Sequence, residues 1–106
     1  MRQEFIAENK NDENNNPAGG YVVGKGLEIK WQNGPLAVNG ERLEPSGAFV
    51  ETVIAAAKQR IEYYNESRFK CRENSMAITK LDEALHWLNH RTADRESRGV
   101  EGSHSE

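Results

Sequence analysis

The segment from Tyr63 to Arg91 contains no glycine and no proline, yet its apolar residues do not follow one continuous helical period. The period breaks at residues 68–72, which read RFKCR. On each side of the break, apolar residues recur every three or four positions, the spacing of one buried face on an amphipathic helix. Helices joined by a short connection pack as antiparallel neighbours. The sequence therefore predicts a helical hairpin that bends near residue 70.

The two helices of this hairpin have predictable limits. We expect the first over about residues 47–68, with Ser46 as its N-cap, and the second over about residues 72–97. The first apolar stripe comprises Val50, Val53, Ile54, Ala57, Ile61 and Tyr64, and the second comprises Ile78, Leu81, Leu85 and Leu88 with Ala77 and Ala84 beside it.

A short strand-forming region precedes the hairpin. Leu27, Ile29 and Trp31 alternate with polar residues, which is typical of a half-buried strand. A turn at NGP follows, and then a weaker strand pattern with Asn39-Gly40 as a turn inside it. We expect strands over about residues 25–44, in a small antiparallel sheet of two or three strands. The predicted fold class is α+β.

The ends of the chain are polar. Residues 1–20 contain the run NKNDENNNPAGG and are predicted to form a flexible Asn-rich arm. Residues 21–102 are then expected to form a single domain, and residues 103–106 a tail.

Composition restricts the function classes. A chain of 106 residues with 36% hydrophobic residues has a small core, so we expect oligomerisation to add buried surface. One cysteine, Cys71, excludes an intrachain disulfide and favours a reducing compartment. The net charge of −3 is not that of a general DNA or RNA binder. The sequence shows no apolar run long enough for a membrane span, so we expect a cytosolic protein without a membrane partner.

The predicted bend concentrates groups that suit a nucleotide. Tyr63 and Tyr64 offer ring faces on which a base could stack, and Asn74 offers an amide for a base or ribose edge. The cations at hand for phosphates are Arg68, Lys70 and Arg72. The alternative is structural: Tyr64 belongs to the core, Asn74 caps the second helix, and the cations form a solvated bend.

A second cationic position lies at the far end of the hairpin. Arg91 follows Asn74 by seventeen residues, about 25 Å along a helix. We expect it near the start of the first helix and near the loop that contains Arg42. Two arginines there could contact phosphates through bidentate hydrogen bonds. The alternative is that Arg91 only complements the dipole of its helix C-terminus.

Metal-dependent and catalytic functions find little support. Asp82, His86, His90 and Asp94 follow one another at intervals of four on one helical face, but without a second ligand cluster we expect a solvated face and no metal. Cys71 has no evident general base, and no glycine-rich phosphate loop precedes a helix. We predict a protein that is not an enzyme and needs no cofactor.

Three segments resemble a known family: CRENSMAITKLDEALHWLNHRT, IKWQNGPLAVNG and GAFVETVIAAAKQRIEYY. Together they resemble the small phage proteins that defeat Thoeris immunity, the first type of Thoeris anti-defence protein. The second helix, above all its run AITKLDEAL, also resembles the hairpin of the phage anti-CBASS cyclic-nucleotide sponges. The resemblance extends over about residues 25–102.

The resemblance implies a sponge that acts in the host cytoplasm. Such proteins bind glycocyclic ADP-ribose without cleaving it, and some also bind cyclic di- or trinucleotides at a separate site. They form homodimers and, in some members, homohexamers. The family places an aromatic residue and an asparagine in the ADP-ribose site, matching Tyr64 and Asn74. An arginine late in the second helix belongs to the cyclic-oligonucleotide site and matches Arg91, with Arg42 as its expected partner.

Two other functions compete with this interpretation. A helical-hairpin adaptor without a nucleotide ligand would bind another protein through Tyr63, Phe69 and Trp87. A small nucleotide-cleaving enzyme would convert the same ligand into fragments.

Overall fold

A computed structural model describes residues 4–34, 37–38, 41–42 and 44–99. A small antiparallel sheet comes first and a pair of helices follows, as expected for the α+β class. The described residues form two compact units, one that ends at Phe49 and one that comprises Val50–Gly99.

The sheet of the first unit has three strands. They are β1 (Ile6–Asn11), β2 (Pro17–Gly24) and β3 (Leu27–Lys30), in the antiparallel order β1-β2-β3. The predicted strand that contains Leu27 and Ile29 is therefore confirmed.

The prediction of a flexible arm over residues 1–20 is wrong where β1 and β2 lie. The asparagine-rich run forms the turn between these strands, because Asp12 Oδ1 accepts hydrogen bonds from the backbone N–H groups of Asn14 and Asn16, both at 2.9 Å. Asn15 has a φ of 62°, a left-handed conformation that asparagine tolerates. The polar residues that suggested disorder therefore stabilise a turn through side-chain hydrogen bonds and a left-handed backbone conformation.

Strand β1 is stabilised by its backbone pairing with β2 and not by burial of its side chains. All six of its residues are exposed, and its backbone pairs with β2 over most of its length. Tyr21 of β2 adds a hydrogen bond from its hydroxyl to Glu8 at 2.7 Å, which raises the pKa of Tyr21 above its ordinary value.

A second, two-stranded sheet lies where the weaker strand pattern was predicted. Its strands are β4 (Ala37–Val38) and β5 (Glu41–Arg42), which pair antiparallel. The predicted turn at Asn39-Gly40 lies outside the described residues.

The helix entry differs from the prediction. Ser46 is not an N-cap, because its Oγ accepts a hydrogen bond from the backbone N–H of Asn33 at 3.0 Å. The backbone N–H of Ser46 in turn donates to Gln32 Oε1 at 2.7 Å. These long-range hydrogen bonds hold residue 46 beside the end of the sheet, so the first helix begins at Val50 and not at residue 47.

Backbone contact explains why glycine precedes this helix. Ala48 forms a parallel bridge with Trp31, which brings the two chain segments together. A Cβ atom at Gly47 would lie 2.5 Å from the carbonyl oxygen of Trp31, closer than any side chain permits. The approach therefore requires glycine.

The second unit is the helical hairpin, formed by α1 (Val50–Asn65) and α2 (Arg72–Ser97). The half-buried apolar residues comprise Val53, Ile54, Ile61, Ala77, Ile78, Leu81, Ala84, Leu85 and Leu88. Val50, Ala57 and Tyr64, which were also assigned to the stripe, are exposed.

One ion pair joins the two helices. The ammonium group of Lys58 lies 2.7 Å from a carboxylate oxygen of Asp82, and this hydrogen bond raises the pKa of Lys58.

No apolar side chain among the described residues is fully buried. None of the helices within the described ranges is long and apolar enough to cross a membrane.

Candidate functional site

The bend between α1 and α2 is closed by side-chain hydrogen bonds and contains no glycine or proline. Asn65, the last residue of α1, donates from Nδ2 to Ser75 Oγ at 3.1 Å. Its Oδ1 accepts from the backbone N–H of Cys71 at 3.2 Å. One amide therefore ties the end of α1 to the first turn of α2.

The residues inside the bend continue this network. The hydroxyl of Ser67 donates to the carbonyl oxygen of Tyr64 and accepts from the backbone N–H of Phe69 at 3.1 Å. The side chain of Asn74 donates to the carbonyl oxygen of Phe69 at 3.3 Å. These hydrogen bonds hold the backbone of the bend in one conformation, and its remaining side chains project from it.

The structural role of Asn65 can be measured. We expect Asn65→Ala to lower the free energy of unfolding by about 1–2 kcal/mol, because two hydrogen bonds are lost. Thermal unfolding followed by circular dichroism measures the effect. Asn89→Ala, at an exposed position of α2, is the matched control and should change the midpoint little. Equal midpoints for the two variants would contradict this role.

Two tyrosines and one arginine form an exposed cluster on α1, beside the bend. Arg60 donates from Nε to Tyr64 Oη at 3.1 Å. Its guanidinium carbon lies 4.9 Å from the ring centroid of Tyr63 and 4.8 Å from that of Tyr64. The rings are 55% and 42% exposed, respectively. The prediction left open whether Tyr64 belongs to the core, and its exposure decides against that alternative.

Further cations project from the bend itself. The guanidinium carbon of Arg68 lies 4.7 Å from the ring centroid of Phe69, which is 63% exposed. Among the described residues, neither Lys70 nor Arg72 has an acidic group within 4.0 Å. These cations can therefore contact an anion without first breaking an ion pair.

The start of α2 adds backbone donors to the bend. Its N-cap is Cys71, whose Sγ accepts from the backbone N–H of Asn74 at 3.4 Å. The N–H groups of Arg72 and Glu73, in the same first turn, have no hydrogen-bond acceptor among the described residues. Free N–H groups at a helix N-terminus, together with the helix dipole, favour a bound anion.

The charge of this region is nearly balanced. Residues 60–74 carry four basic and three acidic side chains. An anionic ligand would therefore be bound by individually placed donors and not by a broad positive field. Exposed rings beside such donors suit a ligand that combines an aromatic base with phosphates.

All five residues of the predicted first site lie close to the bend. Tyr63, Tyr64, Arg68 and Arg72 lie at or next to the bend, and Asn74 lies in the first turn of α2. The side chains of Tyr64 and Asn74 do not form a hydrogen bond with each other. The hydroxyl of Tyr64 accepts from Arg60, and the amide of Asn74 donates to the backbone carbonyl of Phe69.

The predicted second site is divided between the two units. Arg91 is an exposed residue of α2, and no acidic group of the described residues lies within 4.0 Å of it. Arg42 is in β5 of the other unit, and its side chain lies outside the described residues. Their pairing stays a prediction.

The hairpin with its preceding strands is a known type of domain. The model of the family described as the Acb2/Tad1 hairpin domain matches residues 25–93, which is more than half of the chain. The chain belongs to this family. The matched range contains the bend, Arg42 and Arg91, whereas β1 and β2 lie outside it.

A curated member of the anti-defence proteins is similar to the chain. It is named Thoeris anti-defense 1, from Bacillus phage SBSphiJ7, and is 50% identical over 82 residues. The alignment covers 77% of this chain and 55% of the relative, so the chain spans about half the relative's length. The resemblance to the first type of Thoeris anti-defence protein is therefore confirmed.

The histidine-bearing face of α2 does not assemble a metal site in the described residues, where no group of three potential ligands is close enough. Asp82 is paired with Lys58, and Asp94 is paired with Arg98 at 3.3 Å. His86 and His90 instead contact the ring of Trp87 edge-on, with centroids 5.6 and 6.0 Å away.

Two residues of the family hairpin were missed by the sequence analysis. Arg60 precedes Tyr63 by three positions and Tyr64 by four, a spacing that places all three side chains on one helical face. That spacing could have predicted the cluster. Asn65 gave no comparable signal, because its partners Cys71 and Ser75 are brought near only by the bend.

Proposed function

We propose that the protein is a phage anti-defence sponge that binds glycocyclic ADP-ribose signals of Thoeris immunity and withholds them from their effector without cleaving them. The observation that carries this proposal is the 50% identity to a protein named Thoeris anti-defense 1. As a protein of this kind, it would act in the cytoplasm of the infected host.

The tyrosine cluster supports the binding of a base. Tyr63 and Tyr64 keep a large part of each ring exposed, and each stacked base adds about 1–3 kcal/mol. Arg60 contacts both rings and so restricts their rotation before a ligand arrives. An ordered ring loses less entropy on binding than a mobile one.

The donors of the bend support the binding of a diphosphate. Arg68 and Arg72 supply guanidinium groups that form bidentate contacts with phosphate oxygens. The free N–H groups at the start of α2 lie in the same region. Asn74 donates from Nδ2 to the bend, but its Oδ1 accepts no hydrogen bond from the described residues and remains available for a ribose hydroxyl or a base amine.

Binding without cleavage agrees with the role of the cysteine. Cys71 is the protein's one thiol. Its Sγ caps the N-terminus of α2 by accepting a hydrogen bond from the backbone N–H of Asn74. Sequestration requires only affinity, which the rings and cations supply.

A second ligand class is proposed for Arg91, with Arg42 as its partner. The exposed guanidinium of Arg91, free of acidic neighbours among the described residues, favours an anionic ligand. The resemblance to anti-CBASS sponges suggests cyclic tri- or dinucleotides as that ligand.

Self-association completes the proposal. A small protein whose described apolar side chains are all at least partly exposed gains stability when a second copy covers them. We propose a homodimer and, by resemblance to the family, a homohexamer.

Isothermal titration calorimetry tests the proposed ligand. Glycocyclic ADP-ribose titrated into the folded protein should give saturable heat. Titration into protein unfolded in denaturant is the control and should give none. A protein that is folded by circular dichroism but gives no binding heat would contradict the proposal and favour the adaptor alternative.

A further inference from the structure

The outer face of α2 carries a large exposed aromatic side chain that the proposed ligand sites do not use. Trp87 is 67% exposed. Its ring is held edge-on between His86 and His90, with interplanar angles of 76° and 86°. A held, exposed tryptophan is the residue type most enriched in binding hot spots.

Charged residues lie on the same face, two helical turns to either side of Trp87. Lys80 precedes it by seven residues and Asp94 follows it by seven. At about 100° per residue, both fall within about 20° of the direction of Trp87. Both are exposed, so the face presents a cation, a tryptophan and an anion in line. Within the chain, Lys80 is paired with Glu83 at 3.7 Å and Asp94 with Arg98 at 3.3 Å, so contact with a second copy would exchange these exposed ion pairs.

This arrangement is complementary to itself. A twofold axis at Trp87 reverses the helix direction and opposes Lys80 of one copy to Asp94 of the other. The same axis brings the two copies of Trp87 together. A parallel arrangement would oppose lysine to lysine and aspartate to aspartate, which is repulsive. The charges therefore favour antiparallel packing about a twofold axis, the commonest symmetry of protein dimers.

We propose that this face of α2, which we call the Trp87 face, binds the Trp87 face of a second copy of the chain, with Lys80 opposite Asp94 of the partner. This inference rests on the self-association proposed above and identifies the surface that carries it. Two tryptophans bury roughly 300–500 Å² together. A stable interface buries about 1,200–2,000 Å², so side chains along the whole face must contribute.

The packing also has a consequence for the second ligand site. Arg91 lies about 40° to one side of Trp87 on the helix, and a twofold axis keeps it on that side in both copies. The pair would present two copies of Arg91 on one flank, about 12 Å apart along the helix axis. The flank with two arginines is available to a ligand with separated phosphates.

Sedimentation velocity over a concentration series tests the surface. We expect Trp87→Ala to raise the dissociation constant of self-association at least about 30-fold, as for a hot-spot residue. Phe69→Ala removes an exposed ring outside the Trp87 face and is the matched control, which should leave the constant within about threefold. Circular dichroism establishes that each variant is folded.

Exchanging the charges at positions 80 and 94 tests whether Lys80 lies opposite Asp94 of the second copy. Lys80→Glu and Asp94→Lys should each weaken the dimer, because each opposes like charges across the interface. The double variant restores the opposition of unlike charges and should recover most of the lost affinity. Lys25→Glu, with the same change of net charge in the turn between β2 and β3, should have no such effect.

The outcomes separate the two proposals. A wild-type protein that stays monomeric at all concentrations would overturn self-association itself. A wild type that assembles equally well with Trp87→Ala would overturn the Trp87 face and leave self-association standing. Single charge variants that weaken the dimer without recovery in the double variant would overturn the antiparallel register.

Discussion

Tyr64→Ala is expected to raise the dissociation constant for glycocyclic ADP-ribose by about 10- to 100-fold. The substitution removes the ring on which the base would stack, a loss of about 1–3 kcal/mol. It also removes the hydroxyl that Arg60 contacts, so the guanidinium becomes less ordered. Isothermal titration calorimetry on the assembled protein measures the change.

Tyr64→Phe is the matched control for this variant. It keeps the ring face and removes only the hydrogen bond from Arg60, so its affinity should remain within several-fold of the wild type. An alanine variant that binds as tightly as the wild type would contradict the assignment of the ring to the ligand.

Asn74→Ala tests the opposite side of the same site. We expect a similar loss of affinity, because the Oδ1 acceptor disappears. The substitution also removes the hydrogen bond to the Phe69 backbone, so thermal unfolding must accompany the titration. Asn89→Ala, an exposed position on the same helix, should preserve affinity and provides the control.

Arg91→Ala is expected to weaken cyclic trinucleotide binding by about 10- to 100-fold and to leave glycocyclic ADP-ribose binding unchanged. A hydrogen bond to a charged group contributes about 1.5–3 kcal/mol, which gives this range. The selectivity follows from distance, because Arg91 lies about 25 Å along the helix from Asn74. Titrating both ligands into one preparation compares the two effects.

The character of the Arg91 contact can be resolved further. Arg91→Lys keeps the charge but loses the planar fork, so its affinity should be intermediate. Removal of a phosphate-contacting charge should also flatten the salt dependence of binding. Sedimentation must show the same assembly for each variant. Equal damage to both ligands in a correctly assembled protein would contradict two separate sites.

The helical hairpin was predictable because its signal is local. The 3.6-residue spacing of apolar residues decides which side of a helix is buried, and residues such as Ile78 and Leu85 are half-buried as that spacing requires. The start of the first helix was not predictable in the same way. Ser46 has the composition of a cap, but long-range hydrogen bonds to Gln32 and Asn33 override that preference.

The N-terminal strands show the opposite relation between composition and structure. Strand β1 buries no apolar face, so hydrophobic alternation could not reveal it. The turn signal was nevertheless present, since Asp12 followed by asparagines is typical of turns stabilised by side-chain oxygens. Giving weight to turn chemistry over composition would have corrected the prediction.

The candidate site was predictable as a set of residue types but not as an arrangement. Tyrosines, cations and an amide at a bend suggested a nucleotide from the sequence. The exposure of Tyr64 and the contacts of Arg60 depend on side-chain directions, which spacing alone does not determine. The free N–H groups at the start of α2 depend on where the helix begins.

Recovery of the ligand after denaturation tests the central claim most directly. The protein is incubated with glycocyclic ADP-ribose, separated from unbound ligand, and heated to unfold it, and the released small molecules are resolved by chromatography with mass detection. We predict that intact glycocyclic ADP-ribose is released, in an amount that falls sharply for Tyr64→Ala. Release of fragments would show an enzyme, and absence of any co-purified ligand would show that the protein is not a sponge for this signal.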